Sequence, residues 1–222
     1  MKLYSGPLSM FGAKVEIALR EKALDFELVM VPFDPARGYE PKHPEVRRIN
    51  PKSQVPVLVD GDNLEIFDST QIFEYLEDRH PIPHLWPRDP VPRARARLLE
   101  LRSDEVYFPH VIRLMVLEDT PDERAMKTAR DAAARYYQEM DALLADGREY
   151  LAGLYTFTDI AFYMAHLFGA RKGAPMTNDT PKLIAWRDRV SARPAVRTVA
   201  GAMGRYLASV GRPVPEFVQA LG

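Results

Sequence analysis

The sequence predicts an α/β domain followed by an all-helical domain, and three observations carry that reading. The first 80 residues alternate between strand-type and helix-type patterns. Residues 80–92, HPIPHLWPRDPVP, hold five prolines in thirteen positions. Each proline fixes φ and removes a backbone donor, so this stretch resists any regular element and marks a boundary. Beyond it only helical spacing recurs. The expected organisation of the 222-residue chain is therefore a first domain over 1–80, a linker over 81–91 and a helical domain over 92–222.

Each element follows from its local pattern. MKLYS begins as a short strand with Leu3 at its centre. Residues 9–22 switch to helical spacing, with Val15, Ala18 and Leu19 on one face and Ile17 beside it. FELVMVPF returns to a strand pattern closed by Pro32. DPARGYEPKHPEVRRINPKSQ is broken by prolines and leaves room for one short helix. VPVLVDGDNLEIF reads as a hairpin: Val57 to Val59, a turn at Asp60-Gly61-Asp62, then Leu64 to Phe67. DSTQIFEYLEDRH is a helix that offers Ile72, Phe73 and Leu76 to a core. After the linker, helices are expected near 92–118, 121–146, 156–170, 180–191 and 194–208. The tail GRPVPEFVQALG is expected to pack back along the surface.

Composition narrows the function. Apolar residues make up 46% of the chain and charged residues 27%, so a substantial core is possible. The 30 basic side chains are balanced by 31 acidic ones, for a net charge of -1. That balance gives no support to nucleic acid or a membrane surface as the main partner. The arginines of RARARLLELR (Arg93, Arg95, Arg97 and Arg102) read as a solvated helix face. Cysteine is absent. This removes disulfides, a thiolate nucleophile and cysteine-ligated metal from consideration. MKLYSGPL lacks the apolar core of a secretory signal and no apolar run is long enough to span a bilayer, so a cytoplasmic protein is expected.

Three short stretches have a chemical case. Ser9 stands at the start of the first helix. It can be an N-cap, or its hydroxyl can act on an anionic ligand at a helix end that carries partial positive charge. Gly12 stands where the acidic half of a capping box would be. In SQVPVL, Pro56 precedes a strand; in the cis form it would turn the Val55 backbone outward towards a peptide ligand, and in the trans form it would simply start the strand. In IFDST, Asp68 and Ser69 open the next helix. Asp68 can cap that helix, or it can pair with a ligand ammonium while Ser69 and free N–H groups hold a carboxylate.

Other motifs point elsewhere. Thr156-Phe157-Thr158-Asp159 has the spacing of a capping box and reads as a folding signal. His43, His80, His84, His110 and His166 show no metal-ligand spacing, so no metal is expected. There is no G-x-G-x-x-G and no Walker sequence. A Ser-His-Asp hydrolase has only its residue inventory in its favour, since Ser9 lacks a nucleophile-elbow context.

Taken in order, these stretches resemble the cytosolic glutathione transferases over nearly the whole chain. LYSGPLSMFGAKVEIAL resembles the serine-type active-site segment of the theta, zeta and phi branches, with the family serine at Ser9, six residues before Val15. INPKSQVPVL matches the N-P-x-x-x-V-P-x-L stretch, in which the Pro56 equivalent is cis. IFDSTQIFEYL matches the acidic-serine pair that holds the γ-glutamyl end. YLAGLYTFTDIAF resembles the helix-capping segment of the second domain. The resemblance implies a thioredoxin-like first domain, an electrophile-binding helical domain and a two-fold homodimer.

It also implies roles. Ser9 would donate to the glutathione sulfur. Val55 would pair with the cysteinyl part through its backbone, with Pro56 setting its direction. Gln54 would pair near the γ-glutamyl end, which Asp68 and Ser69 hold. Lys42 falls close to a residue that meets the glycyl carboxylate. Asp104 would reach the neighbouring subunit's glutathione amine. Met10, Phe11, Tyr107, Phe108, Arg113 and Tyr163 are candidate walls of the site for a small apolar electrophile, and at helical spacing most of the last four fit a core equally well. Met10 and Phe11 are bulkier and more apolar than the zeta serine-cysteine pair, which argues against zeta-type isomerisation, and the lack of cysteine excludes the cysteine-type branches. Tyr4, inside the first strand, is expected to pack. Glutathione is the implied cosubstrate. Conjugation, reductive dehalogenation and ether cleavage share its thiolate as first nucleophile, and a non-catalytic interaction module is the alternative of a different class.

Overall fold

The computed structural model describes residues 1–34, 36–61 and 64–221. The chain forms two compact units: Met1–His84 together with the segment from Pro194 onward, and Leu85–Arg193.

The first unit is built on a four-stranded sheet of β1 (Lys2–Ser5), β2 (Glu27–Met30), β3 (Val57–Asp60) and β4 (Leu64–Phe67), in the order β2-β1-β3-β4. β1 and β2 are parallel, with Leu3 opposite Leu28. The other pairs are antiparallel, with Leu3 opposite Leu58 and Leu58 opposite Ile66. α1 (Met10–Glu21) connects the parallel strands, α2 (Pro44–Ile49) leads to β3, and α3 (Ser69–Arg79) follows β4. This is the mixed α/β, thioredoxin-like arrangement. Asp62, expected in the hairpin turn, lies outside the described residues.

Helical spacing on α1 and α3 produces the core. Val15, Ala18 and Leu19, with Ile17 beside them, are fully buried, as are Ile72, Phe73 and Leu76. Tyr4 belongs to a second apolar cluster with Val31, Val46 and Val57. The far ends of α1 and α3 are tied by a buried ion pair: Lys22 Nζ donates to Glu77 Oε2 at 2.8 Å, to the His80 carbonyl at 2.8 Å and to the Pro83 carbonyl at 2.9 Å. All three ammonium protons are thereby satisfied.

α9 (Pro194–Ser209) and the short α10 (Glu216–Gln219) also belong to this unit, α9 packing on α1 and α10 on α9. The sequence reading assigns this segment to the helical domain. Its spacing marks Val196, Val199, Met203 and Leu207 as the buried side of a helix, but spacing carries no information about which element covers them.

The second unit consists of α4 (Pro90–Arg102), α5 (Phe108–Val116), α6 (Glu123–Leu143), α7 (Phe157–Arg171) and α8 (Pro181–Ser191). α7 is buried along Phe157–Gly169 and is its central helix. One continuous helix over 92–118 is expected from the sequence, whereas one turn of π-helix, Ser103–Tyr107, separates α4 from α5. Pro109 accounts for it: with no N–H to give the carbonyl four residues earlier, the chain widens just before it. Tyr107 lies in an aromatic cluster with Tyr136, Tyr137 and Phe162, at centroid distances of 5.3, 5.4 and 5.4 Å. Among the described residues no helix is long and apolar enough to cross a membrane.

Candidate active site

The register of the sheet brings three loops to one edge. Ser5 at the end of β1 lies beside Met30 at the end of β2. Tyr4 faces Val57 at the start of β3, and Val57 faces Phe67 at the end of β4. The segments Gly6–Ser9, Val55–Pro56 and Asp68–Ser69 therefore leave the sheet on the same side.

Ser9 is the N-cap of α1 and is only 7% exposed. Its Oγ accepts the Gly12 N–H at 3.0 Å. The oxygen is thus occupied as an acceptor while its own hydrogen has no acceptor among the described residues. A hydroxyl can serve both purposes, so capping and donation to a ligand do not compete. The first turn of α1 contains no acidic residue, which leaves the positive end of the helix dipole uncompensated. Lys14 lies on the buried side of α1, its ammonium 5.3 Å from the ring centres of both Phe11 and Phe73.

The loop before Ser9 is held from the β2–α2 connection. Tyr39 Oη accepts the Leu8 N–H at 3.0 Å. Its ring lies so close over Gly6 that a Cβ there would overlap it.

At the second loop, the Val55–Pro56 peptide is cis. Val55 packs against the Tyr4 cluster, and its peptide N–H and C=O have no backbone partner among the described residues. The Gln54 carbonyl accepts the side-chain N–H of buried Asn50 at 2.6 Å, and Asn50 Oδ1 in turn accepts the Lys52 N–H at 2.9 Å. Lys42 is paired with Glu40 at 3.3 Å.

At the third loop, Asp68 caps α3 from a backbone with φ of 75°. Its Oδ1 accepts the N–H groups of Thr70 and Gln71 at 3.1 and 3.3 Å. Oδ2 takes no partner among the described residues. Asp68 is exposed and Ser69 is buried. Here too the cap leaves one hydrogen-bonding position unused.

The remaining sequence candidates are placed as follows. Met10 is buried and Phe11 half-buried in the first turn of α1. Asp104 lies in the π turn of the helical unit, and Arg113 is exposed on α5. Phe108 packs edge-on to Phe168 with centroids 6.2 Å apart. Tyr107 and Tyr163 are fully buried, the first hydrogen-bonded to Tyr137 and the second to Ser191 at 2.9 Å. Burial drives both phenols up, Tyr163 to about 12.

Sequence reasoning passed over Gly12, Ser5, Tyr39 and Asn50 as parts of this edge. The two glycines of GPLSMFG were a signal, since each marks a close approach that no side chain could share.

Residues 3–84 match the glutathione S-transferase N-terminal domain family, and residues 104–194 the C-terminal domain family. Glutathione S-transferase 3 of Zea mays is 32% identical over 215 residues, covering 91% of this chain and 94% of its own. The chain belongs to the glutathione S-transferase superfamily. The stringent starvation protein A homolog of Coxiella burnetii is 32% identical over 161 residues, covering 72% of this chain and 71% of its own. A sphingomonad glutathione S-transferase solved in complex with glutathione superposes with a TM-score of 0.78 at 25% identity, over 92% of this chain and 99% of that one. Among the described residues this superfamily member has no cluster of three or more His, Asp or Glu side chains that could hold a metal ion.

Proposed function

We propose that the protein binds glutathione as cosubstrate and stabilises its thiolate for attack on a small apolar electrophile. The observation that carries this reading is the Ser9 hydroxyl: its oxygen is fixed by the Gly12 N–H, its hydrogen is left to donate, and it stands at an uncompensated helix N-terminus. A free thiol has a pKa of about 8.5 and is a good nucleophile only as the thiolate. A hydrogen bond from Ser9 and the partial charge of α1 both favour the anion. The thiol proton leaves through water, the sulfur forms a bond to the electrophilic carbon, and a leaving group departs with the electron pair of the bond that breaks.

The rest of the tripeptide has matching partners. Asp68 Oδ2 is suited to the γ-glutamyl ammonium. The Ser69 hydroxyl and N–H, at the start of α3, suit its carboxylate. The vacant Val55 peptide groups suit the cysteinyl backbone, and Gln54 is adjacent to them. Lys42 would exchange Glu40 for the glycyl carboxylate. Half-buried Phe11 offers an apolar surface next to the sulfur position, with buried Met10 beside it in the first turn of α1. Conjugation is the reaction this set supports without further groups. Dehalogenation and ether cleavage would use the same thiolate.

We also propose a two-fold homodimer. Val91, Leu98 and Leu101 leave an exposed apolar row along α4, with Val106 beyond it in the π turn. Asp104 would reach the second subunit's glutathione amine in such a dimer.

The test of the enzymatic reading is steady-state conjugation by wild type and Ser9→Ala. A large loss of kcat with a modest change in glutathione affinity is the expected result; equal turnover by the two proteins would remove Ser9 from the mechanism. The second reading, a glutathione-binding interaction module, is favoured by one observation: the starvation-protein relatives do not carry a transferase name. It requires saturable glutathione binding with no turnover across an electrophile panel.

A further inference from the structure

We propose that Gly12 is the positioning residue for the Ser9 hydroxyl, and that Ser5 occupies the space that a side chain at position 12 would need. The inference rests on the role proposed above for Ser9.

Gly12 is the third residue of α1, and its N–H donates to Ser9 Oγ at 3.0 Å. That bond takes one lone-pair direction of the oxygen and so limits where the hydroxyl hydrogen can point. On its other side Gly12 meets β1. A Cβ at position 12 would overlap Ser5 Oγ and would stand 3.1 Å from both Ser5 Cβ and Ser9 Oγ. Ser5 is 1% exposed. Its backbone is fixed as well: it pairs with Met30 across the parallel strands, and its carbonyl accepts the Val31 N–H at 2.7 Å. The strand cannot simply retreat. The end of β1, the cap of α1 and the first turn of α1 therefore converge on one hydrogen-sized gap.

Helix preference argues against glycine in a first turn. Glycine at this position is explained by the close approach alone, and the group set by that approach is the hydroxyl proposed to act on the sulfur. Two consequences differ from those of ordinary strand–helix packing. An added methyl should misdirect Ser9 without deleting it, and removing the Ser5 hydroxyl should restore the direction. Packing alone would change stability and leave the bound thiol as it was.

The experiment titrates the ultraviolet absorbance of the thiolate of bound glutathione in wild type, Ser9→Ala, Gly12→Ala, Ser5→Ala and the Ser5→Ala/Gly12→Ala double variant. Thermal melting is recorded on the same samples. Gly12→Ala is expected to raise the thiol midpoint by about one unit, or about tenfold in thiolate at a fixed lower pH. Its kcat should fall while glutathione affinity changes little. Ser5→Ala should titrate close to wild type, and the double variant should recover most of the shift.

A folded Gly12→Ala protein with the wild-type midpoint overturns the inference. So does a double variant as impaired as Gly12→Ala. If Gly12→Ala fails to fold, the double variant, which lacks the overlap with Ser5 Oγ and keeps only the 3.1 Å approaches to Ser5 Cβ and Ser9 Oγ, must fold and keep its thiol midpoint nearer to wild type than to Ser9→Ala, and its failure to do so is equally decisive. A midpoint that moves in Ser9→Ala but not in Gly12→Ala sinks only this inference. An unmoved midpoint in Ser9→Ala sinks both this inference and the role of Ser9.

Discussion

Helices in both units begin with polar caps, and the caps differ in what they leave unused. In the helical unit Asp159 is fully buried at the start of α7 and completes the capping box with Thr156. Its carboxylate accepts the N–H groups of Leu151 and Thr156 at 3.0 and 2.9 Å, the Thr156 hydroxyl at 3.2 Å and Trp186 Nε1 at 2.8 Å. Both oxygens are saturated and none of the donors faces water. In the α/β unit, Ser9 keeps a hydrogen and Asp68 keeps an oxygen. The same residue types thus perform two kinds of work, and the deciding quantity is residual hydrogen-bonding capacity. A saturated, buried cap organises folding; a cap with capacity left over at a loop edge can also hold a ligand.

The largest effect that would test this contrast is expected at the saturated cap. Asp159→Ala strands several buried donors, each worth about 1–3 kcal/mol when left unpaired, so the urea midpoint should drop steeply. A pH arm sharpens it. Burial holds the Asp159 carboxyl up at about 6, against an ordinary value of 3.8. Between those values the folded chain keeps a proton that the unfolded chain has released. This group's contribution therefore favours folding at the low end of the window and declines as pH rises towards about 6. Comparing wild type with Asp159→Ala at both ends of the window should show that slope only in wild type.

Ser9→Ala should reverse the balance of effects. Loss of the cap costs about 1 kcal/mol of stability. Loss of a hydrogen bond to a charged sulfur, about 1.5–3 kcal/mol, should cost roughly ten- to a hundredfold in kcat. If the melting temperature collapsed as far as in Asp159→Ala, the distinction between the two kinds of cap would fail.

Asp68→Asn separates the two uses within one residue. The amide oxygen can still accept from Thr70 and Gln71, so stability should stay within about 0.5 kcal/mol. The charge is gone, and calorimetry should record glutathione affinity lowered by about tenfold, as for loss of one charge-assisted pair. A smaller effect is expected from Tyr39→Phe, which removes the acceptor for the Leu8 N–H, at about 1 kcal/mol in chemical denaturation.

Much of this was legible in the sequence because it is local. The 3.6-residue spacing of Val15, Ala18 and Leu19, the period of the two hairpin strands, and the Thr156–Asp159 box each depend on residues close together in sequence. The order of the α/β elements was readable for the same reason. What could not be read depends on contacts between distant segments. Nothing in GRPVPEFVQALG or the helix before it names α1 as the element that α9 packs on. The π turn needs the carbonyl that Pro109 fails to reach, which a helical pattern does not display. At the site, Ser9, Asp68 and Val55–Pro56 were visible as residue types in known turns. Their supports were not: Tyr39 reaches Leu8 across 31 residues, and the Ser5–Gly12 contact exists only once β1 and α1 are packed.

The most direct measurement of the central claim is the pH titration of glutathione thiolate absorbance on wild-type protein and Ser9→Ala side by side. The thiolate should form on wild type at least about one unit below the free thiol value of about 8.5, with the Ser9→Ala curve moved back towards that value. Superimposable curves for the two proteins would contradict the assignment of Ser9 as the group that stabilises the sulfur.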